Sequence, residues 1–172
     1  MRPIIVLGRS PMHFLAVLLA LVISIGPAAA QSPPASCSNI VDGSDPSRIF
    51  HLARGHGSAE ISTDSRGDPK IDGRMHGARY QIYFYGCQNG EKCSSVQFRA
   101  GFTQQVKQTI EHMNEWNVSK RFGKAAIDKT GDATIELNVN LRGGVCNANF
   151  DETVGWWSTV LREFLTFINF KT

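Results

Sequence analysis

Two spacings of apolar residues alternate along the chain from residue 45 onward, one of helical period and one of period two. Asp45-Pro46 offers a helix cap followed by proline at the first helical position, and Ile49, Phe50, Leu52 and Ala53 supply a stripe that closes at Gly55-His56-Gly57. Two strands are predicted near 59–63 and 70–75, divided by the turn-forming run Asp64-Ser65-Arg66-Gly67-Asp68-Pro69. Over 79–85, Tyr80, Ile82 and Phe84 share one face while Gln81, Tyr83 and Tyr85 share the other. Over 95–102, Val96, Phe98, Ala100 and Phe102 again fall on one side. The stretch 103–118 reads as an amphipathic helix with Val106, Ile110, Met113 and Asn117 on one face and Trp116 beside it. A second hairpin spans 124–128 and 133–141 around Lys129-Thr130-Gly131-Asp132, and in its second arm Ile135, Leu137, Val139 and Leu141 alternate with Thr134, Glu136, Asn138 and Asn140. Gly143-Gly144 ends that strand. Asn149 with Glu152 three residues on forms a capping-box pattern, and a last helix runs to about Phe170. Phe150, Val154, Trp157, Leu161, Phe164 and Ile168 share its inner face, widened by Trp156, Val160, Leu165 and Phe167.

The condensed order is α-β-β-β-α-β-β-α, with no internal repeat. Hairpin-linked strands with polar outer faces predict an antiparallel sheet covered by helices on one side, an α+β domain.

Ahead of it the pattern is of another kind. Residues 1–11 carry two arginines and no acid, 14–25 read FLAVLLALVISI, and Ala28-Ala29-Ala30 follows Gly26-Pro27. Basic, apolar and small-residue regions in that order predict a secretory signal peptide over 1–30, cleaved after Ala30. The apolar run is short of the roughly 20 residues that span a bilayer. The expected organisation is a signal peptide over 1–30, a Pro/Ser-rich lead over 31–44 and a single domain over 45–172, in a periplasmic or secreted protein without a membrane association after cleavage.

Charge narrows the partners. The 18 basic and 15 acidic residues give +3, and setting aside Arg2 and Arg9 leaves 16 against 15, or +1. A nearly neutral chain has no electrostatic basis for general nucleic-acid binding.

All four cysteines, Cys37, Cys87, Cys93 and Cys146, lie beyond the leader, and the even number suits an oxidising compartment. If the strands 79–85 and 95–102 form a hairpin with Cys87 opposite Cys93, then Phe84 faces Val96, Ile82 faces Phe98 and Tyr80 faces Ala100. Every apolar residue then lands on one side, and Asn89-Gly90 sits at the centre of the loop as a turn signal. A Cys87–Cys93 bridge is therefore expected, and Cys37–Cys146 follows by elimination, tying the N-terminal segment to the start of the last helix.

No reaction motif is present. His51, His56, His76 and His112 form no HExxH, and there is no CxxC or two-histidine carboxylate spacing, so no metal site is expected. Asp128-Lys129-Thr130-Gly131-Asp132 resembles the start of a calcium loop, but Ala133 and Val139 stand where glycine and glutamate are needed, and a hairpin turn is the better reading. There is no Gly-x-Ser-x-Gly elbow and no Ser-x-x-Lys pair, which leaves no catalytic residue and no cofactor to name. Lys120-Arg121-Phe122-Gly123-Lys124 is a small basic cluster suited to a solvated loop. The outer face of the sheet has interface character. Arg79, Tyr83, Tyr85, Gln97 and Arg99 gather there, and tyrosine and arginine are enriched where proteins touch.

The segment Arg79-Tyr-Gln-Ile-Tyr-Phe-Tyr-Gly-Cys through Phe98-Arg-Ala-Gly-Phe resembles the YbjN-domain family of bacterial proteins. So do Asn114-Glu-Trp-Asn with Lys120-Arg-Phe-Gly-Lys, Asn138-Val-Asn-Leu-Arg-Gly-Gly-Val to Phe150, and Trp156-Trp157, spanning about 45–170. The resemblance extends to the fold of class I type III secretion chaperones. It implies a protein-binding scaffold, often a homodimer, with no cofactor. An export signal and disulfides set this chain apart from those cytoplasmic chaperones. The function expected is non-catalytic binding of a protein or peptide partner, through the sheet face or a helix groove, in a chaperone-like or regulatory role. The alternatives are a small-molecule or envelope-stress sensor with a pocket between the last helix and the sheet, and a hydrolase with a scattered acid pair.

Overall fold

Asp45 opens the first helix: its carboxylate accepts the amides of Ser47 and Arg48 at 3.1 and 3.3 Å, while Pro46 occupies a position where no amide donor is needed. The computed structural model describes residues 37, 39–103 and 107–171. The leader, its cleavage point and, within the lead over 31–44, residues 31–36 and 38 lie outside the described residues, as does Val106. In chain order the elements are β1 (Ile40–Val41), α1 (Pro46–His56), β2 (Ser58–Thr63), β3 (Pro69–Met75), β4 (Ala78–Tyr85), β5 (Ser95–Phe102), α2 (Ile110–Ser119), β6 (Lys124–Ile127), β7 (Ala133–Asn140), β8 (Val145–Cys146) and α3 (Asn147–Phe167). Six strands make one antiparallel sheet in the order β2-β3-β4-β5-β7-β6, and β1 pairs with β8 in a small second sheet. The α+β architecture and the order of the main elements match expectation; the four strands between α1 and α2 are those predicted one by one near 59–63, 70–75, 79–85 and 95–102, one more than the condensed order counts.

That hairpin has the expected register, with Phe84 opposite Val96 and Ile82 opposite Phe98. Both expected bridges, Cys87–Cys93 and Cys37–Cys146, are formed. The β2–β3 and β6–β7 hairpins turn on the same device. Asp64 Oδ1 accepts the amides of Arg66 and Asp68 at 2.8 and 3.0 Å, and Asp128 Oδ1 accepts those of Thr130 and Asp132 at 2.9 and 3.0 Å. Gly67 and Gly131 complete the two turns at φ +85° and +82°, where a side chain would be strained.

The inner face of the sheet, with Tyr80, Ile82, Phe84, Val96, Phe98, Ala100, Phe102 and Ile135 all buried, packs on Phe150, Val154, Trp157, Leu161 and Phe164 of α3. Ring centroids lie 5.6 Å apart for Phe98 and Trp157 and 5.8 Å apart for Phe102 and Phe164, and Trp116 of α2 meets Phe164 edge-on at 5.1 Å. The interval between α3 and the sheet is filled by these aromatic rings.

Four helix expectations are corrected. The second helix starts at Ile110 rather than near Thr103, with the Thr109 hydroxyl accepting the His112 amide at 3.1 Å. The residues before it are drawn to the β6–β7 turn: Thr103 Oγ1 donates to Asp132 at 2.9 Å, and Lys107 Nζ lies 3.0 Å from the same carboxylate. Ile110 consequently stands in the first turn and is 74% exposed, while Met113 and Trp116 form the buried stripe. Asn117 is a surface residue whose amide bridges to β6, accepting from Ala125 N at 2.8 Å and donating to Ala125 O at 3.0 Å. The last helix starts two residues before the expected Asn149 cap, with Cys146 at the cap position. Its first turn is anchored by the bridge to Cys37 and by the Asn147 amide donating to Asn39 O at 2.8 Å. Glu152 accepts instead from Trp156 Nε1 at 2.9 Å. Trp156 itself lies outside the buried stripe, 41% exposed and stacked on Phe122 at 4.5 Å.

Tyr80 fits because Gly73 stands opposite it; any Cβ there would come within 2.3 Å of the phenol ring. The Tyr80 hydroxyl and the Trp157 indole N–H are buried with no hydrogen-bond partner among the described residues. Burial pushes the Tyr80 phenol from 10.0 up to about 12. Between those values the unfolded chain releases the proton and the folded chain keeps it, so stability present below pH 10 is lost as pH rises toward 12. Tyr80→Phe removes an unpaired polar group. Its expected result is unchanged or higher stability at neutral pH, by up to about 1 kcal/mol, and a shallower loss above pH 10. Urea midpoints of both proteins at neutral and alkaline pH check this; a clear destabilisation at neutral pH would refute it.

Candidate partner-binding face

Strand alternation sends Arg79, Gln81, Tyr83 and Tyr85 of β4 to the face opposite the helices. The register brings neighbours from the adjoining strands beside them. Tyr83 lies between Lys70 and Gln97, Gln81 is opposite Asp72 and Arg99, and on β7 Asn138 and Glu136 face Gln97 and Arg99. Among the described residues no helix covers this surface.

Side chains on it are tied into a network. The Tyr85 hydroxyl donates to Gln97 Oε1 at 3.2 Å, and Gln97 Nε2 donates to Asn138 Oδ1 at 3.0 Å and to Glu136 Oε2 at 3.3 Å. Arg99 Nη1 donates to Glu136 Oε1 at 3.1 Å, and Lys124 Nζ stands 3.6 Å from Glu136 Oε2. Glu136 is the hub, its side chain only 13% exposed and held by two cations and an amide. Burial and then the nearby Glu136 charge raise the Tyr85 phenol above its ordinary value. Toward the β2 edge, Asp72 accepts from Ser62 Oγ at 2.7 Å and pairs with Lys70 at 3.1 Å. Partial burial works to raise the Asp72 carboxyl, but the Ser62 and Lys70 bonds outweigh it and hold the group below the usual range.

Four of the five sequence-chosen residues, Tyr83, Tyr85, Gln97 and Arg99, lie together on β4 and β5. Arg79 lies near the other end of β4, opposite Arg74, and makes no ion pair among the described residues. Sequence reasoning missed the central role of Glu136 and the flanking Lys70, Asp72 and Lys124. Alternation already placed Glu136 outward, but its centrality depends on β7 lying between β5 and β6, a pairing no local pattern encodes.

Two hollows flank the network. One of about 380 Å³ at the Tyr83–Tyr85 end is lined by Asp64, Arg66, Asp68, Lys70 and both tyrosines. Another of about 430 Å³ lies beyond β7, lined by Asn117, Lys120, Arg121, Phe122, Glu136 and Asn138.

The histidines do not assemble a catalytic set among the described residues. His76 Nε2 meets Ser158 Oγ at 2.9 Å with no carboxylate bonded to its other ring nitrogen, and His56 pairs with Asp151 at 2.9 Å with no hydroxyl alongside. What the geometry provides is a preorganised polar surface, uncovered by any described helix, carrying aromatic donors and cations.

Residues 45–170 match the model of the YbjN family, described as "Putative bacterial sensory transduction regulator". No curated protein shows a significant match to the chain.

Proposed function

The chain belongs to the YbjN family, and we propose that it acts outside the cytoplasm as a non-catalytic binding protein, engaging a protein or peptide partner through the outer face of its sheet in a regulatory or chaperone-like role. The observation that carries this reading is the Tyr85–Gln97–Glu136–Arg99 network on a sheet face that no described element covers. Side chains already fixed by one another lose little freedom when a partner arrives, and Tyr and Arg supply contact area with directional donors. Export is supported by the two disulfides, which persist in oxidising compartments, and by the basic–apolar–small order of residues 1–30. No helix among the described residues is long and apolar enough to cross a membrane. The family's description as a sensory regulator also favours a second reading, ligand sensing, for which the hollow beside Tyr83 and Tyr85 offers room for a small polar molecule.

A photoreactive residue at Gln81, which lies between Tyr83 and Arg79 on the same face, tests the leading reading. Crosslinking in the native cell is expected to capture a discrete partner, and Tyr83→Ala, Tyr85→Ala and Arg99→Ala together are expected to reduce capture at least tenfold, as loss of central contacts does. Capture unchanged by the triple substitution would sink the sheet-face assignment. A bound small molecule in the native mass spectrum, lost in the same triple variant, would replace the partner with a ligand.

A further inference from the structure

β2 is the terminal strand of the six-stranded sheet and, among the described residues, pairs only with β3. Its sequence, Ser58-Ala-Glu-Ile-Ser-Thr63, contains a single charge and neither lysine nor proline, the residues that usually blunt an edge. On the core side Ile61 continues the cross-strand row of Ile82 and Ile71. Both of those are 0% exposed, whereas Ile61 is 50% exposed, so the apolar row runs off the sheet uncovered.

The backbone shows which groups of the edge point away from β3. The Asp64 amide donates to the Asp68 carbonyl at 2.8 Å, and Pro69, opposite Thr63, has no N–H to give. Bonded and non-bonded pairs alternate along an antiparallel ladder. Ser62·Lys70, Glu60·Asp72 and Ser58·Arg74 are therefore the bonded pairs, and the N–H and C=O groups of Ala59, Ile61 and Thr63 point away from β3.

We propose that this edge pairs with a second copy of the same chain, antiparallel and centred on Ile61, joining the two sheets into one of twelve strands. The choice of occupant and of register comes from self-complementarity. A two-fold axis normal to the sheet keeps inward residues opposite inward ones, so it passes through a residue pair and not between residues. Centred on Ile61, the pairs Ile61·Ile61, Ala59·Thr63 and Thr63·Ala59 bring all three outward-pointing backbone positions of each copy into register, which makes six hydrogen bonds. Ile61 then faces its counterpart and closes the exposed apolar row, while each Glu60 lies opposite a Ser62 hydroxyl. Centring on Glu60 sets two carboxylates face to face, and centring on Ser62 separates the isoleucines; each leaves only four of the six bonds within the strand. The axis preserves the two sides of the sheet, so both polar outer faces look the same way. The pairing stands independently of what those faces bind.

The test uses the purified protein with its native disulfides. Sedimentation across a concentration range is expected to show a dimer. Ile61→Cys under mild oxidation is expected to give a covalent dimer, since bonded antiparallel pairs bring Cα atoms to about 5.5 Å. Glu60→Cys, whose counterpart lies two residues away across the axis, is expected to give none. Ile61→Lys, at a half-exposed site, is expected to weaken association at least a hundredfold with an unchanged circular dichroism spectrum. Several results would overturn the proposal: a monomer at every concentration, a dimer undiminished by Ile61→Lys, crosslinking at residue 60 in place of 61, or a monomer carrying the mass of a foreign peptide. Should Ile61→Lys fail to fold, the contrast between the two cysteine variants decides alone.

Discussion

Serine at both Cys37 and Cys146 is expected to lower the free energy of unfolding by about 4–5 kcal/mol, while serine at both Cys87 and Cys93 costs about 2–3 kcal/mol. The difference lies in the loops that are closed. One bridge spans 109 residues of sequence and the other 6, and the entropy removed from the unfolded chain grows with the logarithm of that number. The longer bridge also fastens structure that has little else to hold it. β1 and β8 share only the pairs Ile40·Cys146 and Val41·Val145, and a two-residue ladder does not persist alone. Val41, fully buried, is carried into the core by that ladder, and Cys146 is the residue at which α3 begins. A loss of 4–5 kcal/mol is a large part of the roughly 5–15 kcal/mol typical of a single domain. Equilibrium urea unfolding of the two double variants, followed by far-ultraviolet circular dichroism, checks the order; equal losses, or a greater loss at Cys87–Cys93, would refute it.

Trp157→Ala is expected to cost about 3–5 kcal/mol, and Trp156→Ala, one residue earlier, no more than about 1 kcal/mol. Trp157 is 0% exposed at the centre of the layer, with ring centroids 5.9 Å from Tyr80 and 5.6 Å from Phe98. Its truncation leaves a void among rings fixed from both sides, where collapse is incomplete. Trp156 is 41% exposed, and its removal uncovers Phe122 and frees Glu152 without opening the interior. Denaturant midpoints for the pair, on identical backgrounds, measure the contrast. Similar losses would mean that the helix is rotated from the orientation described.

These two tryptophans also mark how far the sequence could be read. A helix turns about 100° per residue, and α3 carries apolar residues over so wide an arc that the pattern cannot decide which margin faces inward. Trp156 was expected inside for that reason, and the sheet beneath Trp157 settles the matter. The β4–β5 hairpin was legible down to its register because everything that fixes it is local: strict alternation, Asn89-Gly90 in the loop, and a cysteine at either side. The start of α2 was not, because the pull of Asp132 on Thr103 and Lys107 acts across a separation that no window of helical period spans. β1 and β8 are too short to carry any periodicity, and only the count of cysteines pointed to their meeting. Of the binding face, alternation revealed which side chains point outward. Their assembly around Glu136 required β7 to insert between β5 and β6, which is a property of the whole fold.

The Cys37–Cys146 bridge has a topological consequence as well. It turns 37–146, with α1, α2 and the eight described strands, into a closed ring, and α3 follows the ring on its C-terminal side. A single peptide-bond cut anywhere in that ring opens it without releasing a fragment, because both sides of the cut remain joined through the sulfurs. An exposed turn such as 64–68 can therefore be nicked while the protein stays one covalent molecule. A machine that draws polypeptide through a narrow pore from either end would meet a loop of two strands abreast, passable only after a reductant has reached the bridge.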